Sequence, residues 1–141
     1  MSNETAATIV AAWMDRVWRQ QDESALDDLL TEDSVAHGVG DAPILGREGW
    51  HESYRMFTGA FTDFDLEVKE QVVNGDHVAS RVVGTLVHRA SGKRVPLEIM
   101  IMGRVVDGRF EEAWNVVNWV PALMELGLTG ADAIERMLTP S

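Results

Sequence analysis

Apolar positions in the first part of the chain recur at helical spacing. Ile9, Val10, Trp13, Met14, Val17 and Trp18 follow one another at i, i+1, i+4, i+5, i+8 and i+9, forming the wide inner face of a first helix with Asn3 as its expected cap. Ser24 and Asp27, three residues apart, form a candidate capping pair ahead of Leu26, Leu29 and Leu30, the apolar side of a short second helix. Ser34 to Gly38 reads as a brief extended piece. Trp50, Tyr54, Phe57 and Phe61 then mark a third helix over about residues 47–60. After this the period changes to two. Strands are predicted near 65–73, 77–88, 94–105 and 109–119, joined at Asn74-Gly75, Ser91-Gly92 and Asp107-Gly108, and Pro121 opens a terminal helical turn. Helices first and a curled antiparallel sheet after them describe an α+β fold. Its N-terminal helices close one face of the sheet and leave a cone with a hydrophobic cavity.

The last hairpin decides which residues line that cavity. If Asp107-Gly108 alone makes the turn, Val106 pairs with Arg109, Arg104 lies opposite in face to Phe110 and Glu112, and Ile99, Ile101 and Val105 are buried. If Val106-Asp107-Gly108 is a three-residue loop with Gly108 left-handed, Arg104 pairs with Phe110. Glu98, Met100, Met102 and Arg104 then share the interior with Phe110, Glu112, Trp114, Val116 and Asn118. The second register is the expected one, because Gly stands where such a loop needs it.

Composition narrows the function. The 141 residues suit a single domain spanning the whole chain, 1–141, and 45% apolar with 25% charged residues is the mix of a folded protein with a real core. Twelve basic against 23 acidic residues leave a net charge of -11, which disfavours nucleic acid and anionic membrane as partners. With no cysteine, thiolate chemistry and Cys-ligated metals are excluded. No H-E-x-x-H pattern, nucleophile elbow, G-x-G-x-x-G or P-loop is present, so neither metal nor cofactor is expected. No apolar run spans a membrane and no basic leader precedes the first helix, so the expected compartment is the cytoplasm.

Several short segments together resemble the SnoaL-like polyketide cyclases, or ester cyclases. These are Val17-Trp18, His37-Gly38, Gly46-Arg47-Glu48-Gly49, Ala60-Phe61-Thr62-Asp63, Gly84-Thr85, Asp107-Gly108, Glu112-Ala113-Trp114 and Leu126-Gly127, in family order over about Ile9 to Leu128. The resemblance implies the cone-shaped fold of nuclear transport factor 2, a homodimer formed through the outer sheet face, and a cofactor-independent aldol ring closure on a hydrophobic polyketide ester. It also implies an Asp base where this chain has Asn118, a cavity histidine where it has Arg104, and a further histidine where it has Leu86.

Candidate site residues follow from both readings. Glu112 is the first candidate base, since a carboxylate in an apolar pocket has a raised pKa; its alternative is a structural ion pair with Arg104. Arg104 and Asn118 are candidates to polarise a substrate oxygen, and His37, ahead of a Gly-rich loop, is the candidate acid. Trp114, Tyr54, Met100, Met102, Glu98 and Phe110 are the candidate substrate-binding residues, with a core role as the alternative for Tyr54 and a solvated rim for Glu98. His51, His77 and His88 read as surface. The expected activity is proton transfer or aldol closure on a carbonyl-bearing small molecule. The alternatives are a cavity protein that binds without turnover, and a hydrolase or epoxide-opening enzyme of the same fold.

Overall fold

The computed structural model describes residues 3–140, over which the expected α+β order holds. Helix α1 (Asn3–Ala12) runs without a break into a π-helical stretch, Trp13–Arg19, that ends with the Gln20 N–H donating to the Asp15 carbonyl at 2.8 Å. Asn3 is the first helical residue, and its side chain lies outside the described residues. Helix α2 (Ala25–Leu29) follows, but Ser24 does not form the expected cap with Asp27. Its hydroxyl donates to Asp22 Oδ1 at 2.5 Å instead, closing a local turn before the helix.

Strand β1 (Leu30–His37) and the two-residue β2 (Ile44–Leu45) lead into α3 (Gly46–Ala60). Strands β3 (Phe61–Asn74), β4 (His77–His88), β5 (Arg94–Val106) and β6 (Arg109–Asn118) come next, then the short helices α4 (Val120–Glu125) and α5 (Ala133–Leu138). The six strands form one sheet in the order β2-β1-β6-β5-β4-β3. Every neighbouring pair is antiparallel except β1 and β6, which run parallel. Register breaks in β1, β3 and β6 bend the sheet, as extra residues on one strand of a ladder do. The concave face buries Val78, Val82, Leu86, Val95, Leu97 and Ile101 beneath α1, the π-helical stretch and α3. Trp13 is the hub of this packing, meeting Trp50 at 5.1 Å and Phe110 at 5.8 Å between ring centres, both edge to face. Contacts of this kind add about 0.5–1.5 kcal/mol each beyond area burial.

The last hairpin differs from the expected register. Asp107 and Gly108 both have positive φ, 51° and 76°, and Val106 pairs with Arg109, so the turn has two residues with the twist that antiparallel strands favour. One step on, Val105 faces Phe110 while Arg104 faces Glu112, leaving Glu111 as the extra residue of a bulge. The bulge reverses the parity of β6. Phe110 turns inward with Ile101 and Val105, and Glu112, Trp114, Val116 and Asn118 turn outward with Glu98, Met100, Met102 and Arg104.

Candidate functional site

An apolar cavity of about 70 Å³ lies between the concave sheet face and the helices. Trp13, Met14 and Trp18 wall it from the N-terminal helix, and Trp50 and Phe57 from α3. The sheet contributes Phe64 and Leu66, Leu86, then Leu97, Ile99 and Ile101, and finally Asn115 and Val117 with Trp119 just beyond β6. Val39, in the loop after β1, completes the wall. Asn115 is the one polar amide among four indoles and ten aliphatic, thioether or phenyl side chains, and no lining residue is titratable. Trp119 closes one end, with its ring stacked at 6.4 Å on Phe57 and 5.9 Å on Phe61.

The Asn115 amide is held in place. Its Nδ2 donates to the His37 carbonyl at 3.0 Å, and because that carbonyl only accepts, the amide nitrogen must point there and the oxygen away. The contact depends on Gly38, whose α-carbon lies against the Asn115 backbone with φ +81°.

The residues proposed from sequence gather elsewhere. Glu112, Arg104, His37 and Trp114 do come together, but on the convex face, where none of them lines the cavity. His37 Nε2 lies 2.7 Å from Glu112 Oε2, and the His37 ring stacks on Trp114 at 5.7 Å. Arg104 bonds Glu111 and reaches Glu112 at 3.5 Å. The hydrogen bond to His37, with Arg104 behind it, holds the Glu112 carboxyl below its ordinary pKa, against a smaller opposing effect of desolvation. A base activated by burial is shifted the other way. Glu98 pairs with Arg81 at 2.9 Å on the same outer face, and Asn118, opposite Glu98, caps the turn into α4 by accepting from Val120 N–H at 3.4 Å. Met100 and Met102 are exposed there as well.

Two expected substrate-binding residues are interior without lining the main cavity. Phe110 packs on Trp13 and borders a second chamber of about 20 Å³. Tyr54 is buried against Trp18, and burial raises the pKa of its phenol, whose oxygen has no partner among the described residues. His51, expected at the surface, is half-buried and bridges Glu23 and Asp27.

The sequence reading did not single out Asn115, Trp119 or Val39. The signal for Asn115 was its spacing from Val117, two residues along the strand and therefore on the same face.

The SnoaL-like polyketide cyclase family profile matches residues 8–126, nearly the whole chain. The chain belongs to this family. Among solved structures this SnoaL-like protein is similar to IdmH of Streptomyces antibioticus, a proposed polyketide cyclase, at 28% identity and TM-score 0.76 over 86% of this chain and 98% of that one. It is also similar to AclR of Streptomyces galilaeus, a proposed hydroxylase, at 28% identity and TM-score 0.72 over 89% and 95% of the two chains. An epoxide hydrolase of M. tuberculosis shares the fold, at 19% identity and TM-score 0.73, covering 94% of this chain and 97% of that one. No curated protein gives a significant match. Among the described residues, no helix is long and apolar enough to cross a membrane.

Proposed function

We propose that this SnoaL-like protein takes up a hydrophobic, carbonyl-bearing, polyketide-like molecule in the tryptophan-walled cavity and promotes its ring closure by confinement. The observation that carries this reading is a wall that is apolar and aromatic apart from the single amide of Asn115, and that carries no titratable side chain. Flat indole faces suit flat unsaturated ligands. General-base catalysis needs the base within hydrogen-bond reach of the proton it removes, and no wall residue meets that requirement. Holding a flexible chain with its reacting ends together accelerates closure through lost freedom and needs no base on the wall: the enol carbon bonds the second carbonyl carbon while the enol O–H proton passes, directly or through one water, to the carbonyl oxygen that becomes the new hydroxyl. The same wall favours a second reading, binding without turnover.

The cavity is smaller than the roughly 300–1,000 Å³ usual for pockets that hold small-molecule ligands. Uptake therefore includes an outward swing of the rim at Val39, Phe57 and Trp119. The homodimer belongs to the same reading, with the convex face as its interface. Val72, Met100, Met102, Trp114 and Val116 leave exposed apolar surface there, bordered by the Arg81 and Arg104 ion pairs.

The test is a titration of tryptophan emission with a polycyclic ketone, followed by turnover of a polyketide methyl ester. Saturable quenching is expected, with closure accelerated by a factor that stays level from pH 5 to 8 and survives Glu112→Gln. An acceleration that titrates with a protein group, or is lost in Glu112→Gln, overturns confinement as the mechanism. Quenching without product selects the second reading.

A further inference from the structure

Asn115 stands on a wall shared by two spaces, the main cavity and the chamber of about 20 Å³ behind it, which also share Trp13, Trp50 and Ile101. Ser34 borders the inner chamber. It is only 2% exposed, and its hydroxyl has no hydrogen-bond partner among the described residues. A buried hydroxyl left in that state costs about 1–3 kcal/mol. The Asn115 amide nitrogen is committed to the His37 carbonyl, which leaves its oxygen as the acceptor this side chain offers to the two spaces it lines.

We propose that Ser34 and Asn115 form a site for one hydroxyl oxygen at the inner end of the cavity, filled by an alcohol or enol O–H of the ligand and by water in its absence. The chamber has room for about one oxygen, since a water needs some 10–15 Å³ of such space. The donors and acceptors decide its chemistry. A hydroxyl donates to Asn115 Oδ1 and accepts from Ser34 O–H. A bare carbonyl oxygen accepts only, and would set its lone pairs against those of Asn115 Oδ1. The site therefore prefers an enol to its keto form, and so selects the tautomer whose carbon is nucleophilic. This rests on the cavity reading above and specifies the group that is seated deepest.

The experiment compares 1-tetralol with 1-tetralone by calorimetric titration of the wild type, Ser34→Ala and Asn115→Leu. The alcohol is expected to bind the wild type about five-fold more tightly, the equivalent of one net hydrogen bond. Each variant is expected to bring the ratio near one. Ser34→Ala hardly changes volume and carries the test if Asn115→Leu does not fold. Equal wild-type affinities, or a ratio that persists in the folded variants, overturn the hydroxyl site but leave the cavity reading standing. Failure of both ligands to bind removes the cavity reading as well. In a crystal structure of the tetralol complex the alcohol oxygen is expected within hydrogen-bond distance of Ser34 Oγ and Asn115 Oδ1. Water there, with the ligand elsewhere, overturns the ligand assignment.

Discussion

Gly38 and Asn115 touch through their backbones so closely that a Cβ added to Gly38 would stand 1.8 Å from the Asn115 carbonyl oxygen. Both the contact and the positive φ exclude a side chain. Gly38→Ala is expected to lose about 2–4 kcal/mol of stability, read from urea unfolding midpoints. It should also move the His37 carbonyl off Asn115 and blunt the alcohol-over-ketone preference.

His51 supplies a pH-dependent tie between α2 and α3. Its Nδ1 lies 2.6 Å from Glu23 and its Nε2 2.9 Å from Asp27, and Arg55 reaches Glu23 at 2.9 Å. Only an imidazolium can donate to both carboxylates, and the bonds to Asp27 and then Glu23 raise the His51 pKa against desolvation. A raised folded pKa gives stability that is complete below the unfolded histidine value, near 6.5, and lost as pH rises through the higher folded one. The midpoint gap between wild type and His51→Gln should therefore be widest at pH 5–6 and narrow above pH 7. A gap that widens with pH would contradict the bridge.

How far the sequence was legible depends on the face of each strand. The first three helices and the β3–β6 strands were readable because their apolar periods are clear, as in Trp50, Tyr54 and Phe57, whereas α5 was not read. The inward face of β5 was not. Met100 and Met102 on one side and Ile99, Ile101 and Val105 on the other are all apolar, so alternation could not choose between them. The residues that share a face were identified correctly from Glu98 to Asn118, apart from Phe110, but that face is the convex one. A single extra residue, Glu111, decided it, and a bulge of that kind leaves no periodic trace.

Glu112 belongs to the outer ion-pair cluster, and its lowered pKa makes a signed prediction. A carboxyl whose folded pKa is depressed stabilises above its unfolded value and loses that contribution as pH falls through the folded one. The midpoint of Glu112→Gln should lie below that of the wild type at pH 6, and the gap should close as pH falls below the ordinary carboxylate range. Its affinity for cavity ligands should be unchanged, since Glu112 does not touch the cavity wall.

The convex apolar surface is expected to be covered by a second copy. Replacing Trp114 and Val116 together with Lys places two charges in that surface while leaving the concave core untouched. Sedimentation velocity should show a dimer for the wild type and a monomer for the double variant. A monomeric wild type at about 100 μM, a concentration at which a micromolar dimer would be assembled, would remove this interface.

The π-helical stretch shows that part of the cavity's dimensions is set by winding and not by side-chain bulk. Trp13 and Trp18 are five residues apart, and with i→i+5 bonding both face the interior, their rings 6.5 Å from one another. In an ordinary α-helix five residues turn through roughly 500°, which would leave the two rings about 140° apart. Rewinding this stretch as an ordinary α-helix at unchanged length would swing Trp18 away from Trp50, Tyr54, Phe57 and Phe64, all of which it now meets. The chamber would gain an open side without any change in the amino acids that line the rest of it. The pitch of one helical stretch therefore sets how far this wall reaches inward, a dimension that exchanging the side chains alone does not reach.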